Sequence, residues 1–187
     1  MIWLSFCLFI QLDPETQRAF KSFFEKNHAF QVTFHQVTES AFLDSTEASG
    51  TLSISQPGKL RMDYHSGEEK TIICDGVTYF EEDRLAEIKT QTPLEELKED
   101  PLVRMLLFGD DLEQFFLIDR YKGKTGVDIF RLRPRNDTSG YIEMTFDVNW
   151  LPTTLAFISE EGERTHFKFT NFEANPTFKK NWFEIPE

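Results

Sequence analysis

Polar and apolar residues alternate along most of the chain after Ala29. The stretches 30–34 (FQVTF) and 59–64 (KLRMDY) each place every second residue on an apolar face, which is typical of strands with one buried side. Turn signals separate such stretches, and Asp75-Gly76 is a strong signal for a two-residue hairpin. The spacing of these signals predicts about ten or eleven strands, as in an all-β fold.

Residues 13–27 (DPETQRAFKSFFEKN) break the alternation and predict a helix. Asp13 is placed to cap this helix, and Pro14 occupies its first position, where proline is favoured. Three phenylalanines with helical spacing give it one aromatic face. They are Phe20, Phe23 and Phe24.

A second interruption, at residues 92–115, predicts two short helices inside the β-rich chain. Thr92 or Thr90 is placed to cap the first helix at Pro93. Pro101 opens the second helix, which has an apolar face. That face consists of Leu102, Met105 and Leu106. Three apolar-faced helices and one strongly curved antiparallel sheet predict a fold that is mainly β with some α.

Length and composition narrow the possible functions. The 187 residues suit a single domain, predicted as residues 13–187, because no linker-like segment divides them. The net charge of -12 argues against nucleic acid as a partner, since phosphates would be repelled. The 20 Phe residues supply large apolar rings without polar groups, so the chain buries or binds something large and apolar.

Residues 1–12 (MIWLSFCLFIQL) form an apolar leader that is too short to cross a membrane as a helix. We interpret it as a truncated export signal, although basic residues and a small-residue cleavage site are missing. An ordinary apolar N-terminus is the alternative. Once the leader is removed, Cys74 is the only thiol left, so it is predicted to be a buried strand residue without a disulfide partner.

No group of residues in the sequence indicates catalysis. The chain has no G-x-S-x-G nucleophile motif, no Gly-rich phosphate-binding loop and no H-E-x-x-H motif. Its 4 His residues are dispersed and lack the spacing of metal ligands. We therefore predict a protein that is not an enzyme and that needs no cofactor or metal.

Four segments resemble a known family in their order and spacing. They are GTLSISQPGKLRMDY (50–64), KTIICDGVTYFEED (70–83), WLPTTLAFISEEGERTHFKFTNFEAN (150–175) and FEIP (183–186). This series is similar to the outer-membrane lipoprotein carrier proteins of Gram-negative bacteria, the LolA type. The resemblance implies an incomplete antiparallel β-barrel of about eleven strands, covered by a lid of three short helices.

The resemblance also implies a function and partners. A protein of this type is a soluble, monomeric carrier in the periplasm that binds the acyl chains of lipoproteins in a cavity. It receives them from an inner-membrane ABC transporter complex and passes them to an outer-membrane receptor lipoprotein. The alternative is a related periplasmic sensor, or a carrier of another lipid or amphiphile, with the same barrel.

Two sets of residues are expected to serve this function. The acyl-chain cavity would be lined by Phe24, Phe30, Phe34, Leu60, Met62, Tyr64, Phe130, Ile142, Met144, Phe146, Leu155 and Phe157. The lid set comprises Phe20, Phe24, Leu102, Met105, Leu106 and Gln56. Simple core packing is the alternative for each cavity residue. Met62 stands where the family commonly has Trp, and Gln56 stands where it often has an Arg that holds the lid closed.

Overall fold

The computed structural model describes residues 22–186 except for 24, 41–42, 99, 101–102, 109–111, 124–125 and 136–139. Most of the described residues belong to strands. These are β1 (Ala29–Glu39), β2 (Thr46–Ser55), β3 (Lys59–Ser66), β4 (Lys70–Asp75), β5 (Thr78–Asp83), β6 (Ile88–Pro93), β7 (Phe116–Lys122), β8 (Asp128–Pro134), β9 (Gly140–Phe146), β10 (Pro152–Ser159) and β11 (Arg164–Ala174). The predicted leader lies outside the described residues.

All these strands form one open 11-stranded sheet in the order β6-β5-β4-β3-β2-β1-β11-β10-β9-β8-β7. Every neighbouring pair is antiparallel. The two longest strands, β1 and β11, pair with each other and join the two halves of the sheet. The prediction of an antiparallel sheet of about eleven strands is confirmed.

The β4–β5 hairpin forms where the sequence predicts it, but its two loop residues are Gly76 and Val77, because Asp75 is the last residue of β4. Asp75 Oδ1 accepts hydrogen bonds from the backbone N–H groups of Val77 and Thr78, both at 2.8 Å. Gly76 has a φ of 103°, a conformation that glycine adopts without the steric penalty of a side chain. The Asp side chain and the Gly backbone together fix the register of this hairpin.

Among the described residues, three short helical turns connect β6 to β7. They are a 3₁₀ turn at Leu94–Leu97, a π-helical turn at Arg104–Phe108 and an α-helical turn at Leu112–Phe115. The predicted capping by Thr92 or Thr90 is wrong, because both residues belong to β6 and pair with β5. Pro93 precedes the 3₁₀ turn without a side-chain cap. None of the helices in the described part of the chain is long and apolar enough to cross a membrane.

One face of the sheet, here called the core face, carries the main hydrophobic cluster. Its buried members are Phe23, Phe30, Val32, Ile54, Met105, Phe116, Ile118, Phe130, Leu132, Ile142, Met144 and Leu155. Phe23 precedes β1, and Met105 belongs to the π-helical turn, so both lie over the core face. Burying one such side chain contributes about 1.5–3 kcal/mol, which makes this cluster the main source of stability.

A smaller buried patch lies on the opposite face, over β3 to β5. Ile73 and Phe80 pair across β4 and β5 and are 0% and 2% exposed. The C-terminal segment reaches this face: Arg61 Nη1 donates to the Trp182 carbonyl at 3.2 Å, and its guanidinium lies 5.4 Å from the Trp182 ring centroid. Phe183 is buried, and its ring packs against Phe178, which stacks on Trp182. The sequence patterns did not predict this second patch.

Candidate functional site

One end of the core face is rich in aromatic rings. We call it the apolar end and define it by Phe23, Phe30, Phe130, Phe146 and Trp150. The ring centroids of Phe130 and Phe146 lie 5.7 Å apart. The centroid of Trp150 lies 5.8 Å from that of Phe146 and 5.9 Å from that of Phe130. Phe23 bridges Phe30 in β1 to Phe146 in β9, with centroid distances of 5.8 and 6.5 Å. These separations are favourable for aromatic pairs, so the rings form one continuous apolar surface.

A pocket of about 460 Å³ opens at the apolar end, between the β7–β8 and β9–β10 turns. It is lined by Gly126, Val127, Asp128, Phe130, Phe146, Asp147, Val148 and Trp150. Its size falls within the range of about 300–1,000 Å³ that is usual for ligand sites. Phe130 and Phe146 also belong to the main cluster, so the pocket borders the core.

Two carboxylates hold the rim of this pocket in place. Asp147 Oδ1 accepts hydrogen bonds from two backbone N–H groups of its own turn, at 2.8 and 2.9 Å. Asp128 pairs with Arg120 at 2.9 Å and with Lys122 at 2.8 Å. Hydrogen bonds from Arg120 and Lys122 lower the pKa of Asp128 to about 2. The rim therefore combines two hydrogen-bonded carboxylates with the exposed Val127 and Val148, whereas the floor of the pocket is aromatic.

The β2–β3 turn is hydrogen-bonded to the π-helical turn. Gln56 Nε2 donates to the Leu106 carbonyl at 3.1 Å, and the Gly58 N–H donates to the Leu107 carbonyl at 2.6 Å. Met105 is 1% exposed and packs in the main cluster, whereas Leu107 is 3% exposed and packs in a neighbouring cluster. This segment is thus attached to the sheet by two buried apolar side chains and two neutral hydrogen bonds.

The core face becomes polar away from the apolar end. We call this region the polar strip and define it by Gln36, Tyr64, Glu68, Lys70, Tyr79 and Glu81. The Tyr64 hydroxyl donates to Gln36 Oε1 at 2.8 Å, and Gln36 Nε2 donates to Glu68 Oε1 at 3.4 Å. Gln36 is 7% exposed, so these bonds satisfy a buried amide.

Lys70 connects the two acidic residues of the polar strip. Its Nζ lies 3.5 Å from Glu68 and 3.3 Å from Glu81. Burial lowers the pKa of Lys70, but the two carboxylates outweigh this effect, so the pKa lies above its ordinary value. The Tyr79 hydroxyl donates to Glu81 at 3.1 Å. Burial, reinforced by neighbouring carboxylates, raises the pKa of Tyr64 and of Tyr79, so both hydroxyls keep their protons.

The sequence over residues 25–186 matches the family described as "Outer membrane lipoprotein carrier protein LolA". The chain belongs to this family. Relatives named outer-membrane lipoprotein carrier protein are about a quarter identical to it over the aligned residues. The relative from Nitrosomonas europaea is 24% identical, over 97% of this chain and 90% of its own length. The relative from Bordetella avium is 26% identical, over 68% of this chain and 62% of its own length.

A solved structure has a similar fold. The DUF1329 family protein from Desulfovibrio piger superimposes with a TM-score of 0.52, over 91% of this chain and 96% of that protein. Its sequence identity is 8%, so the likeness concerns the fold alone.

The residues that the sequence predicted to line a carrier cavity fall into two groups on the core face. Those almost completely buried are Phe30, Phe34, Phe130, Ile142, Met144 and Leu155, with 1–7% exposed. Those partly exposed are Leu60, Met62, Tyr64, Phe146 and Phe157. Phe24, together with the predicted lid residues Phe20 and Leu102, lies outside the described residues. Contact of any of these side chains with a ligand stays a prediction.

Sequence reasoning placed Tyr64 on the core face but missed its polar neighbours. Gln36 continues the row of alternate residues that begins with Phe30 and Phe34, and Lys70 continues the row of Ile72. The period of two was therefore the signal for the polar strip. Polar residues on an otherwise apolar face resemble the end of a strand, so the local pattern does not distinguish the two cases.

One prediction about a special residue also has an outcome. Cys74 is fully buried in β4, as predicted, and burial raises the pKa of its thiol. Within the described ranges, no three His, Cys, Asp or Glu side chains are arranged to hold a metal ion.

Proposed function

We propose that this protein carries the acyl chains of lipoproteins and holds them against the core face of its sheet. The family match over residues 25–186 supports a lipoprotein carrier in general terms. The observation that carries the specific proposal is the pocket at the apolar end, whose wall includes Phe130 and Phe146 of the main cluster. An acyl chain that enters there meets aromatic surface continuous with the core.

The hydrophobic effect supplies the affinity in this proposal. Each CH₂ group removed from water contributes about 0.8 kcal/mol, so a chain of ~14 methylenes gains on the order of 11 kcal/mol before ordering costs. The described core face is closely packed, since Ile54, Met105 and Phe130 are at most 1% exposed. Full insertion of a chain therefore requires the π-helical turn to separate from the sheet.

A lid that opens and closes follows from this requirement. In the proposal it consists of the predicted N-terminal helix and the helical turns between β6 and β7. Phe23 and Met105 supply its apolar contacts, and Gln56 with Gly58 supplies its hydrogen bonds. Neutral hydrogen bonds contribute about 0.5–1.5 kcal/mol, against about 1.5–3 kcal/mol for bonds to charged groups. Apolar contacts are thus the main force that closes this lid.

The cellular route follows from the family. We place the protein in the periplasm, as a monomer without cofactor or catalytic group. It accepts lipoproteins from an inner-membrane ABC transporter and delivers them to an outer-membrane receptor lipoprotein. The names of the relatives from Nitrosomonas europaea and Bordetella avium support the carrier role in this route.

Native mass spectrometry of the purified protein tests the proposal directly. We expect a monomer that retains lipidated protein or lipid and that releases a fluorescent acyl probe when a lipoprotein is added. The identity of the retained molecule separates a lipoprotein carrier from a carrier of another amphiphile. A folded monomer that neither retains lipid nor binds the acyl probe would contradict the proposal.

A pair of variants separates ligand contact from core packing. Met62 is partly exposed on the core face, whereas Ile73 is fully buried on the opposite face. Met62→Ala is expected to weaken probe binding more than it lowers stability, and Ile73→Ala is expected to do the reverse. If Met62→Ala lowers stability and leaves probe affinity unchanged, Met62 is an ordinary core residue.

A further inference from the structure

The polar strip crosses the core face on four strands and a turn. Gln36 lies in β1, Tyr64 in β3, Lys70 in β4, and Tyr79 and Glu81 in β5, while Glu68 lies in the β3–β4 turn. Hydrogen bonds and ion pairs connect all of them into one network. A polar network of this extent on the core face lowers the stability of the fold unless its donors and acceptors have hydrogen-bond partners. Its position on this face therefore requires an explanation.

The polar strip adjoins apolar surface that is only partly covered. Met62 pairs with Ile72, and Ile72 pairs with Glu81, so these three residues form one row across β3, β4 and β5. All three are partly exposed. A ligand lying on this row would touch methyl and methylene groups at one end and a carboxylate at the other. The surface is suited to an amphiphile rather than to a plain hydrocarbon.

The charges of the polar strip are unequal. It contains two carboxylates, Glu68 and Glu81, and one ammonium group, Lys70, whose side chains are 33%, 33% and 26% exposed. Each carboxylate can accept about four hydrogen bonds. Glu68 accepts from Gln36 and Lys70, and Glu81 accepts from Lys70 and Tyr79, which leaves acceptor capacity on both.

We propose that Glu68, Lys70 and Glu81 form a head-group subsite that selects amphiphiles bearing neutral or cationic hydrogen-bond donors over anionic ones. The preferred groups are amide N–H and ammonium, which the spare carboxylate lone pairs accept. An anionic phosphate or carboxylate meets two carboxylates and only one ammonium, in a protein with a net charge of -12. This inference rests on the proposed function, because it assumes that an acyl chain occupies the neighbouring apolar surface.

Three amphiphiles with the same tetradecyl tail test the selection. Tetradecylamine, N-tetradecyl acetamide and monotetradecyl phosphate are compared, below their micellar concentrations, as competitors of the fluorescent acyl probe. We expect the phosphate to bind about tenfold more weakly than the amine and the amide. The acetamide carries a neutral N–H donor, so its comparison with the amine shows whether the donor without a positive charge is sufficient.

Two variants should shift this ratio in opposite directions. Glu81→Gln removes a carboxylate and is expected to reduce the discrimination against the phosphate to about threefold or less. Lys70→Gln removes the only ammonium and is expected to increase it. Glu82→Gln is the matched control, because Glu82 points to the other face of β5, where it pairs with Lys89 at 2.9 Å. The control makes the same change in net charge and should leave the ratio unchanged.

The outcomes separate this inference from the carrier proposal. If all three amphiphiles bind equally, or if Glu81→Gln changes the ratio no more than Glu82→Gln, the head-group subsite is refuted and the carrier proposal stands. If none of the three displaces the probe and the probe itself does not bind, both are refuted. Lys70→Gln provides a second readout in case Glu81→Gln does not fold.

Discussion

The apolar end and the polar strip lie on the same face of the same sheet, yet different interactions stabilise them. At the apolar end, the ring of Phe146 packs edge to face against the rings of Phe23 and Phe130. In the polar strip, Gln36 and Tyr64 are bonded through oriented donors and acceptors. Apolar contact is roughly proportional to area and tolerates many shapes, whereas a buried polar network tolerates few.

Because of this difference, we expect the two regions to have separate roles in the proposed carrier. Non-directional contact suits an acyl chain, whose length and conformation vary between cargoes. Directional bonding suits the recognition of one chemical group, because a mismatched partner leaves a buried polar atom unsatisfied. In the proposed carrier, the apolar end therefore contributes affinity and the polar strip contributes selectivity. Substitutions in each region show whether this division holds.

The largest expected effect is the loss of a ring at the apolar end. Phe130 is 1% exposed and contacts both Phe146 and Trp150. Phe130→Ala is expected to lower the free energy of unfolding by about 3–5 kcal/mol, measured by urea denaturation. Val148→Ala, at a pocket residue that is 95% exposed, should change it by less than about 0.5 kcal/mol. A loss below about 1 kcal/mol in Phe130→Ala would identify Phe130 as the wall of an open cavity rather than as core.

A smaller loss is expected in the polar strip. Gln36→Leu keeps the size of the side chain but leaves the Tyr64 hydroxyl without its acceptor. We expect a loss of about 1–3 kcal/mol in the free energy of unfolding, the cost of an unsatisfied buried polar group. The double variant Gln36→Leu/Tyr64→Phe removes both partners and should recover part of this loss. Strictly additive losses would show that the two side chains do not depend on each other.

The contrast between the two regions also marks what the sequence could predict. Alternation with a period of two is a local property, so the strands and the core-face positions of Met62, Phe130 and Phe146 were predictable. The Asp75-Gly76 hairpin was predictable for the same reason, because its chemistry lies within the turn itself.

What the sequence left undetermined depends on contacts between distant segments. Gln36 and Glu68 are 32 residues apart, and Arg61 and Trp182 are 121 residues apart. No local pattern reports such pairs, since they exist only once the strands have been placed side by side. The helical turn at Arg104–Phe108 is a further case, because its π-helical hydrogen bonds differ from the α-helical spacing that the sequence pattern assumes.

The attachment of the π-helical turn beside the apolar end is expected to control release. In Gln56→Arg, a guanidinium would replace the amide that donates to the Leu106 carbonyl. A charge-assisted bond is stronger than a neutral one by about 1 kcal/mol, so cargo transfer to the receptor should slow by about fivefold. Gln56→Leu, which has no donor, should make transfer faster than in the wild type. Equal transfer rates for all three proteins at equal loading would remove Gln56 from the lid mechanism.

The smallest expected effect is a pH dependence at the rim of the apolar pocket. Arg120 and Lys122 lower the pKa of Asp128 from 3.8 to about 2 in the folded protein. Because the folded-state pKa is the lower one, the stabilisation is complete above pH 3.8 and is lost as the pH falls towards about 2. The ion pairs lie at the surface, so their contribution is about 0.2–1 kcal/mol. Asp128→Asn removes this titration, and the difference in unfolding free energy between wild type and variant should therefore shrink between pH 4 and pH 2. A difference that stays constant over this range would show that Asp128 keeps its ordinary pKa, and that the polar rim is solvated independently of its two cations.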